Sequence, residues 1–147
     1  MPLNTASEVI SLARQLEEDC AKFYELLAQR YLKDGETFLS LAEESRKNIV
    51  QVERAYYGVI TDALEGCFAF SINQNEYLFS SELSEKISYT KVLGRAIDME
   101  KKIGEFYSDA GEQSKSLMAD VPRAFAMMAK KRGDRISILE SFLSKEA

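Results

Sequence analysis

Residues 13–28 read ARQLEEDCAKFYELLA, and residues 96–110 read AIDMEKKIGEFYSDA. Both follow the spacing A-x-x-x-E-x-x-x-x-x-F-Y, which aligns Glu17 with Glu100 and Tyr24 with Tyr107. Three- and four-residue steps extend these segments into two seams. One runs Ile10, Ala13, Glu17, Cys20, Tyr24, Leu27, and the other Leu93, Ala96, Glu100, Ile103, Tyr107, Ala110. Such steps are the signature of a helix with one buried face. A second pair of segments behaves the same way: FLSLAEESRKNIV at 38–50 parallels FAMMAKKRGDRIS at 125–137. Their seams are Phe38, Leu41, Ser45, Asn48, Val52 and Phe125, Met128, Arg132, Arg135, Leu139, Phe142. The chain repeats a pair of helices.

Boundary signals give four helices. Thr5-Ala6-Ser7-Glu8 is a capping-box pattern and opens the first, about 5–32. Lys33-Asp34-Gly35 marks a turn, with Asp34 as a cap for the second, about 35–64. The third spans about 88–116. Asp120-Val121-Pro122 opens the fourth, about 120–144, with proline in the first turn. Helices of this length suit a four-helix bundle. Short links between helices one and two, and three and four, make each pair an antiparallel hairpin. The long stretch at about 65–87 is a crossover that returns the chain along the bundle. Its alternation Phe68, Phe70, Ile72 predicts an extended segment laying aromatics on the core, or else presenting them to a partner.

Bulk properties narrow the possibilities. At 147 residues with 46% hydrophobic content, 7 glycines and 2 prolines, the chain reads as one domain, 1–147, of the all-α class. A net charge of -5 argues against nucleic acid, whose phosphates demand a basic face. No apolar run approaches a membrane span, and the N-terminal stretch lacks a signal-peptide pattern, so the expected location is cytoplasmic. Histidine is absent, which removes the commonest metal ligand and the commonest acid–base group at neutral pH. Cys20 and Cys67 form no C-x-x-C and read as reduced thiols, with a disulfide or redox role as the alternative.

Each seam has an apolar–polar–apolar order, so the polar groups Glu17, Ser45, Asn48, Glu100, Arg132 and Arg135 should meet in one layer at mid-bundle. A charge on a core seam is costly unless paired. Two carboxylates against two guanidiniums sum to zero. A guanidinium can clamp a carboxylate through two parallel hydrogen bonds, with Ser45 and Asn48 filling remaining sites. Tyr24 and Tyr107 stand within reach as supporting groups. Which arginine faces which glutamate stays open, and so does snorkelling of both arginines to water.

These features resemble the rubrerythrin-like branch of the ferritin-like superfamily. The likeness spans nearly the whole chain, through the E-x(6)-Y helices, the L-A-E-E second helix, the crossover and the duplication. It implies a di-iron centre held by one glutamate from each of two helices and an E-x-x-H from each of the other two. It also implies peroxide reduction or iron oxidation as chemistry. The lone glutamates fall on Glu17 and Glu100. The first E-x-x-H falls on Ser45-Arg46-Lys47-Asn48 and the second on Arg132-Gly133-Asp134-Arg135, so four of the six ligand positions differ. The expectation is a ferritin-like protein without its di-iron site, non-catalytic, structural or interaction-forming, and free of metal and cofactor. A homodimer is expected from family habit and from Tyr31, Tyr56 and Tyr57 near helix ends, with an unidentified protein partner also open.

Two other readings stand beside it. One is a rubrerythrin-like oxidoreductase with an altered metal site, drawing on Glu43, Glu44 and Asp134, which otherwise read as solvated flanks. The other is a binder of a small anionic ligand at Arg132 and Arg135. Lys130, Lys131 and Arg123 read as surface charge rather than an anion patch. Met118, Met127 and Met128 read as core filler.

Overall fold

The computed structural model describes residues 2–59, 70–80, 82–116 and 120–146. Among them the protein is all-helical and bundle-like, with four long helices: α1 Ala6–Arg30, α2 Gly35–Val59, α3 Tyr89–Gln113 and α4 Asp120–Glu146. No described helix is long and apolar enough to cross a membrane. Thr5 accepts from the Glu8 backbone N–H while the Glu8 carboxylate accepts from the Thr5 backbone N–H, satisfying two donors that the helix start leaves open. Ser88 caps α3 through the Lys91 N–H.

Asp34, read from sequence as a cap for α2, lies instead in the 3-10 turn Leu32–Asp34, where it accepts the Tyr89 hydroxyl. That turn is tight. A Cβ at Gly35 would stand 3.3 Å from the Ala28 carbonyl oxygen, so glycine lets the start of α2 approach α1.

Helix α1 packs mainly on α2, α3 on α4, and α2 on α4. Contacts run in opposite order along α1 and α2: Tyr24 stacks on Phe38, Cys20 meets Ser45, and Arg14 pairs with Glu53. The same holds for α3 and α4, where Tyr107 lies against Phe125 and Glu100 meets Arg132. Repeated sequence positions thus make repeated contacts. The rings of Tyr24 and Phe38 are 6.1 Å apart, and so are those of Tyr107 and Phe125. All four side chains are fully buried, and each such ring stabilises the fold by roughly 1.5–3 kcal/mol through area burial.

The described part of the crossover covers the bundle. Phe70 and Ile72 are buried, and Ile72 forms an isolated antiparallel bridge with Leu3. Tyr77 is buried and donates to Asp109. Downstream carbonyls are held by cationic side chains of α1 and α3: Lys102 on Leu78, Arg95 on Ser80, and Arg30 on Leu83 and Ser84. Phe68 and Cys67 lie outside the described residues.

Candidate functional site

All six polar seam residues are brought together. Glu17 comes from α1, Ser45 and Asn48 from α2, Glu100 from α3, and Arg132 and Arg135 from α4, each at most 1% exposed. The i, i+3 spacing puts Ser45 with Asn48, and Arg132 with Arg135, on one face of their helices. Snorkelling is thereby ruled out, because both guanidiniums end inside the bundle.

Arg132 bridges the two carboxylates. Its Nη2 donates to Glu17 Oε1, and its Nη1 donates to Glu100 Oε1 and Oε2 at 3.2 and 3.1 Å. Arg135 fans out over a wider set. Its Nη1 reaches Ser45 Oγ at 2.9 Å and Glu100 Oε1 at 3.3 Å, while Nη2 donates to the Leu41 carbonyl at 3.0 Å. Nε and Nη2 of Arg135 both reach Glu44 Oε1, at 3.2 and 3.1 Å. Glu44 is therefore a working partner of the layer and not a solvated flank, although its side chain stays 43% exposed.

The tyrosines cross over between helices. Tyr107 of α3 donates to Glu17 of α1 at 2.6 Å, and Tyr24 of α1 donates to Glu100 of α3 at 2.9 Å. Seven residues span about 10.5 Å of helix axis, too far for a tyrosine to return to the glutamate on its own helix. Each guanidinium also lies over one of these rings, Arg132 on Tyr107 and Arg135 on Tyr24, both at 5.9 Å.

Cys20 is the layer residue that sequence reading did not assign. Its free thiol is 3.4 Å from Glu100 Oε1 and 3.5 Å from Ser45 Oγ. Its place on the α1 seam, one turn beyond Glu17, was the signal. Burial, then the Glu100 charge, push the thiol up to about 12, so it stays protonated and unreactive near neutrality. Lys131, read as surface charge, reaches Asn48 Oδ1 at 3.2 Å and Gln51 Oε1 at 3.0 Å. Two buried donors in the layer, Asn48 Nδ2 and Arg132 Nε, have no acceptor among the described residues.

Electrostatics keep Glu100 and both arginines charged and the two phenols protonated. Burial opposes charge on Glu100, but Arg132 and Arg135, helped by Tyr24 and Cys20, outweigh it and hold the carboxyl below its ordinary range. Burial also opposes charge on Arg132, yet Glu100 and Glu17 leave it even more firmly protonated than usual. Burial and the facing carboxylates raise both tyrosines well above their ordinary value. The Glu100 shift has a consequence for acid stability. A carboxyl held low in the fold binds protons less readily than in the unfolded chain, so stability rises with pH across the gap. Its contribution is complete above the unfolded value of about 4.3 and is lost as pH falls through the depressed folded value. Urea midpoints should stay level from pH 7 to 5 and drop below about 4.3, with Glu100→Gln flattening part of that drop.

The donor set does not fit a di-iron centre. Both seam glutamates are already clamped by arginine, and the remaining positions offer one hydroxyl and one amide. At 4 Å and an effective dielectric near 20, each guanidinium would repel a divalent ion by about 8 kcal/mol. Among the described residues, no group of three or more His, Cys, Asp or Glu is placed to hold a metal. Glu43 and Asp134 are exposed and Glu44 is committed to Arg135, so these acids do not assemble a shifted site.

Other sequence candidates fall elsewhere. Met128 is buried core, but Met127 is 50% exposed and fills nothing. Met118 lies outside the described residues. Tyr56 is buried, and the half-buried Tyr31 stacks on Tyr89 at 4.5 Å; the Tyr57 side chain is outside the described set. Comparison with protein-family models, curated proteins and solved structures finds no match to this chain.

Proposed function

We propose that this chain is a rubrerythrin-like member of the ferritin-like superfamily that has exchanged its di-iron centre for a buried Glu/Arg layer. In this reading the four helices form two antiparallel hairpins joined by the crossover. The protein works without metal or cofactor as a cytoplasmic structural or interaction module, assembled as a homodimer. One observation carries the reading: Arg132 sits between Glu17 and Glu100 and bonds both. That is the place and the charge a metal would otherwise supply to facing acids. Cys20, Tyr24 and Tyr107 are held protonated and Glu100 ionised, so none of these four is poised for proton transfer near neutrality.

The anion-binding alternative is weakened by the same contacts. Neither guanidinium offers an open fork, since both Nη atoms of each already donate to protein oxygens. An incoming anion would have to displace Glu100.

Metal analysis of protein purified from cells supplemented with iron and manganese tests the proposal. The expected result is trace metal only, unchanged by Glu17→Gln or Glu100→Gln. Roughly stoichiometric iron that disappears on either substitution would establish the oxidoreductase reading instead.

A further inference from the structure

Helices α1 and α3 pack together only sparsely, unlike α1 with α2 or α3 with α4. The crossover runs over the gap between them. Lys102 and Arg95 of α3 hold its Leu78 and Ser80 carbonyls at 3.3 and 3.1 Å, and Arg30 of α1 holds those of Leu83 and Ser84. Between this strap and the two helices lies a cavity of about 180 Å3. Its lining is divided by chemistry. Phe23 of α1 and Met99 of α3 are buried and, with the half-buried Phe79 of the crossover, form apolar walls. Arg95, Asp98 and Lys102 of α3 bring charge to the rim.

Helical spacing explains why these groups meet. Arg95, Asp98, Met99 and Lys102 stand at i, i+3, i+4 and i+7, one face of α3. Phe23 and Met99 immediately precede Tyr24 and Glu100, which bond each other in the layer. Successive residues of a helix point about 100° apart, so the cavity lies beside the layer and outside it.

The rim has unused capacity. A guanidinium carries five N–H donors and an ammonium three, yet Arg95 and Lys102 each give one hydrogen bond among the described residues. Neither forms an ion pair with Asp98 or with any other described acid. Two cations against one acid leave a single net positive charge at the cavity. Size then limits what can enter. An apolar cavity of about 150 Å3 accepts benzene, so 180 Å3 suits one ring or a chain of similar bulk.

We propose that this cavity binds a small monocarboxylate whose apolar body is about one ring in size. The body lies against Phe23, Phe79 and Met99, where burial of apolar surface drives binding. The carboxylate accepts from the spare donors of Arg95 and Lys102, which keep their hold on Ser80 and Leu78. Asp98 opposes the ligand as a like charge and limits the affinity. The site is separate from the Glu/Arg layer and stands whether or not that layer replaced a metal.

Titration of the full chain with phenylacetate, followed by backbone amide shifts in two-dimensional NMR, tests this. Amides of residues 78–80 and 95–102 should move, with a Kd of about 0.1–1 mM for so small a ligand. Phenethyl alcohol keeps the ring without the charge and should bind at least about tenfold more weakly. Arg95→Gln and Lys102→Gln should each weaken phenylacetate by about five- to tenfold. Asp98→Asn, at an exposed position, should tighten it by about two- to fivefold. Because Arg95→Gln also releases the Ser80 carbonyl, Asp98→Asn is the deciding variant: a loosened crossover weakens binding and does not strengthen it. No saturable shift up to about 10 mM would overturn the proposal. So would equal affinity for the alcohol, or a Kd that Asp98→Asn leaves unmoved.

Discussion

Glu100→Ala should be the most damaging single substitution in the chain, lowering stability by about 3–5 kcal/mol. Glu100 is the acceptor shared by Arg132, Arg135, Tyr24 and Cys20. Its removal leaves a fully buried guanidinium with half its compensation and a buried phenol with no acceptor, and solvent cannot enter to replace them. Glu17→Ala should cost less, because Arg132 keeps Glu100 when Glu17 is lost. The measurement is a urea titration. With a slope of about 1–3 kcal/mol per molar, the Glu100→Ala midpoint should fall by more than 1 M with the slope unchanged. Since domains of this size are stable by only about 5–15 kcal/mol, the variant should stand near the edge of folding. A loss below about 1 kcal/mol would mean the layer is solvated.

The second large effect has the opposite sign. Replacing the whole ionic set by apolar residues, with Glu17, Glu100, Arg132 and Arg135 to Met or Leu and both tyrosines to Phe, should be far milder than Glu100→Ala. Desolvation of two buried acids and two guanidiniums roughly cancels their mutual attraction, so a well-packed apolar layer is often neutral or more stable by about 1–4 kcal/mol. Glu44 is partly exposed and can turn to water once Arg135 is gone. The comparison separates the worth of the layer from the harm of leaving it half-made. A sextuple variant weaker than Glu100→Ala would show that the ions contribute net stability.

Much of this architecture was legible in the chain because two periodic signals agreed. The A-x-x-x-E-x-x-x-x-x-F-Y repeat located Glu17 and Glu100, and the seam steps through Arg132 and Arg135 placed the cations at the same height. Charges on a seam can be recognised without knowing the fold, since few other side chains are so costly to bury. The finer pairing was hidden. Tyr24 and Tyr107 bond across to the opposite helix, which depends on helix direction and offset rather than on spacing along one strand of sequence. Glu44 sits one residue before the seam and reaches the layer only because Arg135 is long enough to meet it at the rim. Cys20 was visible on the seam but chemically unremarked, because a thiol and a small hydrophobe look alike in a periodic pattern. Asp34 misled because a turn acid serves equally well as a cap or as an acceptor from a distant tyrosine.

The central claim is that guanidinium groups neutralise the facing acids of the bundle. A crystallographic map of the mid-bundle layer, with anomalous data collected above the iron edge, tests it most directly. The account predicts the Arg132 head lying between Glu17 and Glu100, Arg135 beside Ser45, and no anomalous peak. An iron peak between the two glutamates, or arginine heads turned to solvent, would contradict it.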